Sequence, residues 1–243
     1  MRQCAARRAT GVIAGMPRVL LFDIDGTLVL TGGAGGRAMT RAFDELFHVP
    51  DAFRGVDMPG RTDPLILADA AARAGVPLDA ARRLAFRERY CAYLTGEVAI
   101  GGPRKGVMPG VRALLDTLAG RDDVLLALLT GNYEPAARIK LEHFDLWRYF
   151  RCGAYGDEAP DRNGLVPVAL QRVAALGVPE PVPSEVLVIG DTPSDVACAR
   201  AAGARAIGVA TGSHDVAALS ACGAEVALAD LGDLPAFLQL LEE

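Results

Sequence analysis

Lysine is nearly absent from this chain. Lys105 and Lys140 are the only two, so arginine carries almost all the positive charge. Cysteine is sparse and scattered: Cys4, Cys91, Cys152, Cys198 and Cys222 are odd in number, widely spaced and include no CxxC pair. That pattern argues against a disulfide framework or a zinc site and for a reducing, cytoplasmic setting. No apolar run approaches the roughly 20 residues that a membrane span requires. The formal net charge is −5 and there is no long basic stripe, so the chain has no footprint for nucleic acid. The three histidines, His48, His143 and His214, are isolated from any nucleophile or metal set and read as structural. Internal repeats and low-complexity segments are also missing. Residues 1–16 hold Arg2, Arg7 and Arg8 but lack the apolar stretch of a secretory signal, so they read as a loose leader, or as an early start with Met16 the true one.

What is present is apolar material in an ordered rhythm. Of 243 residues, 51% are hydrophobic, enough for one large domain or two unequal ones. Short β-branched or leucine-rich runs at 18–22, 124–129, 186–189, 206–209 and 226–228 suit strands buried on both faces. Helical patterns at 111–119, 135–144, 166–176, 194–202 and 215–220 alternate with them. The expectation is an α/β fold with a doubly wound parallel sheet, whose sites form at the carboxyl ends of the strands. Residues 31–105 break the alternation, with helical stretches near 36–47, 63–74 and 78–95. They read as an inserted helical domain, leaving 17–30 and 106–243 as the core. Glycines at both borders (Gly32, Gly33, Gly35 and Gly36; Gly101, Gly102 and Gly106) suit hinges or ordinary loops.

The chemistry-bearing residues sit where strands end. The run 18–22 ends in Asp23-Ile24-Asp25-Gly26-Thr27. Two carboxylates two residues apart share a direction while strand geometry lasts, and their repulsion calls for a cation. A hard divalent ion with oxygen ligands answers it, Mg²⁺ being the usual choice for phosphate chemistry. The run 124–129 ends in Thr130-Gly131-Asn132, a hydroxyl, a closely approachable backbone and an amide before a helix. That set suits a phosphoryl group, though Asn132 reads equally as a helix cap. The run 186–189 ends in Gly190-Asp191-Thr192-Pro193-Ser194-Asp195. Asp191 would complete a cation site with Asp23 and the backbone carbonyl of Asp25, while Thr192, Pro193 and Asp195 also fit a capping box.

These segments resemble the motifs of the haloacid dehalogenase superfamily. DxDGT is matched letter for letter by Asp23 to Thr27, a threonine ends the second core strand, and GDTxxD is matched in full. The insertion falls where that family carries its type-1 helical cap. The overall pattern is similar to phosphoglycolate phosphatase-like members. The resemblance implies a Mg²⁺-dependent phosphatase acting on a small phosphorylated metabolite, as a monomer or homodimer. Asp23 would be the nucleophile and Asp25 the acid and base. Thr130, Gly131 and Asn132 would hold the phosphoryl group, and Asp23, Asp25, Asp191 and Asp195 would serve the metal. Members that cleave carbon–halogen bonds lack the second aspartate, so Asp25 disfavours dehalogenation. The family also places a cation before its last motif, usually lysine; here Arg162 is the best placed, with Lys140 mid-helix and earlier in the chain. The loop Met58-Pro59-Gly60-Arg61-Thr62-Asp63 sits where relatives carry specificity residues. Arg61 reads equally as a substrate contact or a surface residue, Lys105 is similarly ambiguous, and Thr62 or Asp63 caps the next helix. Phe43, Leu46, Phe47, Leu84 and Tyr90 read as cap core. A phosphomutase of the β-phosphoglucomutase kind is the alternative, and a non-catalytic phosphate-ligand binding protein is the third reading.

Overall fold

The computed structural model describes residues 17–179 and 181–242. The leader reading of 1–16, with Cys4 and Met16, lies outside the described residues. The first strand, β1 (Arg18–Phe22), is the centre of a six-stranded parallel sheet. The chain then makes a two-residue strand β2 (Val29–Leu30) and three helices, α1 (Ala34–Phe47), α2 (Asp63–Ala74) and α3 (Ala80–Glu97). It returns through β3 (Gly106–Val107), which pairs antiparallel with β2. The rest alternates: α4 (Val111–Leu118), β4 (Val124–Leu129), α5 (Glu134–His143), β5 (Cys152–Ala154), α6 (Leu165–Ala175), β6 (Val186–Gly190), α7 (Pro193–Ala201), β7 (Arg205–Val209), α8 (Val216–Ala221), β8 (Val226–Leu228) and α9 (Leu234–Gln239).

The sheet order is β5-β4-β1-β6-β7-β8. β1 is therefore flanked by β4 and β6, and the winding reverses there, which opens a crevice at its carboxyl end. Both faces of the sheet are covered because every strand residue has a place on one side or the other. Leu20, Phe22, Leu126, Leu128, Leu187 and Ile189 pack with α4, α5 and α9; Val19, Leu21, Leu125, Ala127, Val186 and Val188 pack with α6, α7 and α8.

The helices α1–α3 have an apolar core of their own. Phe43 meets Phe47, Phe53 and Phe86 edge-on at centroid separations of 4.7, 5.7 and 6.3 Å. Glu97 is buried beneath Arg37 and Arg41, each 2.7 Å from one of its oxygens, and these hydrogen bonds lower its carboxyl below the ordinary range. Leu84, expected in this core, is 48% exposed on the outer face of α3. Tyr133 and Ala136, at the start of α5, belong to the same apolar cluster, so α5 joins the helical unit to the sheet. No helix among the described residues is long and apolar enough to cross a membrane.

The strand runs at 18–22, 124–129 and 226–228 fall where the sequence places them, and the five core helices shift by one residue at their ends. β5 and α9 carry no comparable sequence signal: one is three residues with a central glycine, the other barely more than a turn. Leu128 is fully buried near the carboxyl end of β4. Leu128→Ala is expected to cost about 2–5 kcal/mol through lost burial and a cavity, read as a lowered urea midpoint at unchanged m-value.

Candidate active site

Asp23 is the first residue past β1, and its amide donates to the Ile189 carbonyl of β6 at 2.9 Å. The sheet itself therefore fixes its position. The chain then turns at Gly26, where φ is +90° and a Cβ would lie 2.4 Å from Asp191 Oδ2. Only glycine satisfies both demands. Asp191 follows β6 directly, and its Oδ1 accepts from Thr27 Oγ1 at 3.2 Å. Asp195 comes from the first turn of α7. The amide and hydroxyl of Thr192 both donate to its Oδ2, at 3.0 and 2.7 Å, in a complete capping box with Pro193 at the first helical position.

Asp23, Asp191 and Asp195 are all buried, and each offers a carboxylate oxygen within 4.8 Å of the others. Arg162, from a 3₁₀ turn before α6, is the cation that reaches them, with Nη2 2.9 Å from Asp23 Oδ1 and also on Asp195 Oδ1. Three buried carboxylates against one guanidinium leave excess negative charge. Burial raises the Asp23 carboxyl above the ordinary range, with Asp195 and Asp25 adding to the effect and Arg162 opposing it. Asp191 is raised by burial and then by the charges of Asp23 and Asp195. A divalent cation fits this donor set: hard oxygen ligands, converging, and lacking the positive charge that would settle them. The side chain of Asp25 lies outside this cluster, so any metal contact from Asp25 falls to its backbone carbonyl.

The Asp25 side chain faces Lys140 instead. Lys140 Nζ donates to both of its oxygens at 2.8 and 2.6 Å and to Asn132 Oδ1 at 2.6 Å. Asn132 Nδ2 completes the set, donating to Asp25 Oδ2 and Thr130 Oγ1 at 2.8 Å each. Asn132 is thus spent on side-chain contacts, and Tyr133 is the N-cap of α5. Sequence reasoning set Lys140 aside as mid-helical. Its signal was available: Ala136, Ala137, Lys140 and Leu141 form the buried stripe of α5, and a lysine on such a stripe needs a partner.

Asp63 is the second residue missed. Thr62 is the N-cap of α2, accepting from the Leu65 amide, while Asp63 faces the core. Its amide donates to the Gly131 carbonyl at 2.7 Å and its Oδ2 accepts from the Tyr133 amide at 2.9 Å. This clasp presses the helical unit onto the loop after β4 so closely that a Cβ on Gly131 would lie 2.2 Å from the Arg61 carbonyl oxygen. Burial pushes the Asp63 carboxyl up to about 7, against the pull of Lys140. Arg61 lines a cavity between the helical unit and the sheet, but its guanidinium is tied to Asp69 at 3.1 Å and to the carbonyls of Asp57 and Leu65. Lys105 is turned onto the carbonyls of Val98 and Ile100.

The cavity has a volume of about 410 Å³ and is bounded by Asp23, Asp25, Thr130, Asn132 and Arg162 on the sheet side and by α1–α3 on the other. A family model of haloacid dehalogenase-like hydrolases matches residues 17–203. The chain belongs to that family, among its phosphatases. A phosphoglycolate phosphatase of Rhodospirillum rubrum is 32% identical over 229 residues, covering 92% of this chain and 93% of its own length. One from Pseudomonas fluorescens is 30% identical over 206 residues, covering 81% and 71%. A hydrolase structure from Pseudomonas syringae shares the fold at a TM-score of 0.68 and 22% identity, covering 93% of this chain and 98% of its own.

The raised carboxyls of Asp23 and Asp191 carry a stability consequence. The folded state holds their protons more tightly than the unfolded state does, so without a metal, stability is lost as pH rises above the ordinary carboxylate value of 3.8 toward the raised values. In chelator, the melting temperature is expected to fall between about pH 5 and pH 8, and millimolar Mg²⁺ should restore it most at the alkaline end. A profile that is flat and indifferent to Mg²⁺ would contradict the charge imbalance.

Proposed function

We propose that this enzyme is a Mg²⁺-dependent phosphatase that hydrolyses a small phosphomonoester through an aspartyl-phosphate on Asp23, with phosphoglycolate the first candidate from its relatives' names. The observation that carries the reading is the convergence, at the ends of β1, β4 and β6, of a buried carboxylate cluster, a guanidinium and a hydroxyl–glycine–amide loop around one cavity.

Arg162 anchors the Asp23 carboxylate through Oδ1, and the other oxygen attacks phosphorus as the ester P–O bond breaks. Asp25 gives the departing oxygen its proton. In the second step water attacks phosphorus, its proton passes to Asp25, and the bond to Asp23 breaks to release phosphate. Lys140 and Asn132 hold the Asp25 carboxyl in place for both proton transfers. Thr130, the loop at Gly131 and Asn132, and Arg162 meet the charge on the phosphoryl oxygens. A divalent cation at Asp23, Asp191 and the Asp25 carbonyl, with Asp195 alongside, would supply the remaining positive charge against nucleophile and phosphate. In this reading residues 31–105 are a cap over a core of 17–30 and 106–243. The Asp63 clasp closes the cap and keeps bulk water out.

The test is phosphate release from a panel of phosphomonoesters with and without Mg²⁺. Asp23→Asn should abolish release in folded protein, and Lys140→Met should lower kcat about a hundredfold by freeing Asp25. Turnover by Asp23→Asn at the parent rate would sink the covalent mechanism. Failure of the parent enzyme to release phosphate from any ester would sink the phosphatase reading.

A further inference from the structure

The two oxygens of the Asp191 carboxylate are held by different means. Among the described residues its side chain takes one hydrogen bond, from Thr27 Oγ1 to Oδ1 at 3.2 Å. The other oxygen is walled in by backbone. A Cβ built on Gly26 would lie 2.4 Å from Oδ2, and one built on Gly212 would lie 1.7 Å from the same atom. Two glycine backbones therefore pack against Oδ2 at a distance no side chain allows. Gly26 belongs to the turn after β1, where its amide donates to the Val29 carbonyl at 2.9 Å. Gly212 belongs to the loop between β7 and α8, so whatever places that loop also places Asp191.

The loop is tied down from two sides. On the sheet side, the Ala210 amide donates to the Leu228 carbonyl at 2.8 Å, and Thr211 Oγ1 donates to the Gly26 carbonyl, which bonds the two walls to each other. The other tie comes from the segment that returns from α3 to β3. There Arg104, two residues before β3, donates from Nη2 to the Thr211 carbonyl at 3.0 Å and to the Gly212 carbonyl at 3.4 Å. One charged nitrogen thus bridges successive carbonyls and fixes the course of the chain at Gly212. The backbone of Arg104 takes φ +57°, which L side chains rarely adopt. Gly101, Gly102 and Gly106 stand in the same tether, and a glycine at 104 would remove that backbone cost. The position is therefore explained by its side chain. The other described cations lining the cavity face carboxylates: Arg61 faces Asp69, Lys140 faces Asp25 and Arg162 faces Asp23. Arg104 lines the cavity too, makes no ion pair among the described residues, and gives its bonds to the loop.

We propose that Arg104 is a positioning residue for the metal site: from the return tether of the helical segment it pins the Thr211–Gly212 loop, and the loop holds the Asp191 carboxylate in the place where it can ligate a divalent cation. This inference rests on the reading of Asp191 as a metal ligand and deepens it. Without Arg104 the loop keeps its sheet-side ties but loses the bond at Gly212 itself, so Oδ2 gains room to turn away. Contacts that orient a metal ligand are typically worth 10–100-fold in metal affinity. Arg104 acts through packed backbone, which puts its effect at the low end, about tenfold. The sign is diagnostic. Removing a positive charge near the site would by itself favour a second cation, so weaker metal binding can come only from lost positioning.

The experiment compares the parent enzyme with Arg104→Met, which removes the donors, and Arg104→Lys, which keeps a charged donor on a shorter reach. All three side chains carry the same backbone cost at φ +57°. Calorimetry measures Mg²⁺ binding without substrate, melting temperature is read in chelator and in millimolar Mg²⁺, and phosphate release is followed against Mg²⁺ concentration. Arg104→Met should bind Mg²⁺ about tenfold more weakly, with Arg104→Lys in between. Its melting temperature in chelator should match the parent's, its rise on adding Mg²⁺ should be smaller, and its kcat at saturating Mg²⁺ should stay near the parent value. Equal or tighter Mg²⁺ binding by Arg104→Met overturns the proposal. So does a raised KM for the ester at unchanged Mg²⁺ affinity, which would make Arg104 a substrate contact, and so does a melting temperature lowered equally with and without Mg²⁺, which would make it merely structural. A parent that binds no Mg²⁺ overturns the metal site and the proposal together. A parent that binds Mg²⁺ in an Arg104-dependent way but releases phosphate from no ester overturns the phosphatase reading alone.

Discussion

Like charges crowded at the carboxyl end of a buried sheet set the terms for everything around them. Asp23 and Asp191 leave adjacent parallel strands, and Asp195 joins them from the helix that follows. Such a cluster survives burial only if its geometry is imposed and its charge is offset. The ladder between β1 and β6 imposes the geometry, Gly26 makes the turn that lets Asp191 approach, and Thr192 locks Asp195 from both its amide and its hydroxyl. Arg162 offsets part of the charge. The negative charge it leaves unmet is what would favour a divalent ion at these carboxylates.

A second arrangement depends on the first. Asp25 stands two residues from Asp23 but is drawn away from the cluster by Lys140 and Asn132. Two neighbouring aspartates thereby occupy different electrostatic surroundings, one beside a guanidinium and other acids, the other on an ammonium. Paired carboxyl groups divide nucleophilic and proton-transfer roles through such differences. Asn132 connects this pair to Thr130, and the loop that carries them is the one that Asp63 grips from the helical unit. The same two hydrogen bonds thus hold both the helical unit and the loop.

The sheet was legible in the sequence because strands buried on both faces leave uninterrupted apolar runs, and three of those runs match the observed strands to the residue. The site aspartates were legible because they are local, each directly following such a run. Arg162 was reachable only through family resemblance, and it does stand on Asp23. What escaped was set by tertiary contact. Lys140 lies two turns into a helix, and nothing nearby in sequence says that this helix leads back over Asp25. Asp63 resembles a cap residue because Thr62 beside it is one, and its true partner, the Tyr133 amide, is 70 residues away. Tyr90 was read as core, and it is fully buried in the cluster of α1–α3. Leu84 failed for the opposite reason, since a helix that packs on one side leaves some of its leucines outside.

The short antiparallel pair β2–β3 places the departure and return of the helical segment side by side, Val29 opposite Val107 and Leu30 opposite Gly106. The chain thus leaves and re-enters the core at one place, and the tether on either side is short. What fixes the attitude of the segment between them is a second anchorage, the contacts of Asp63 and Tyr133 at the loop after β4.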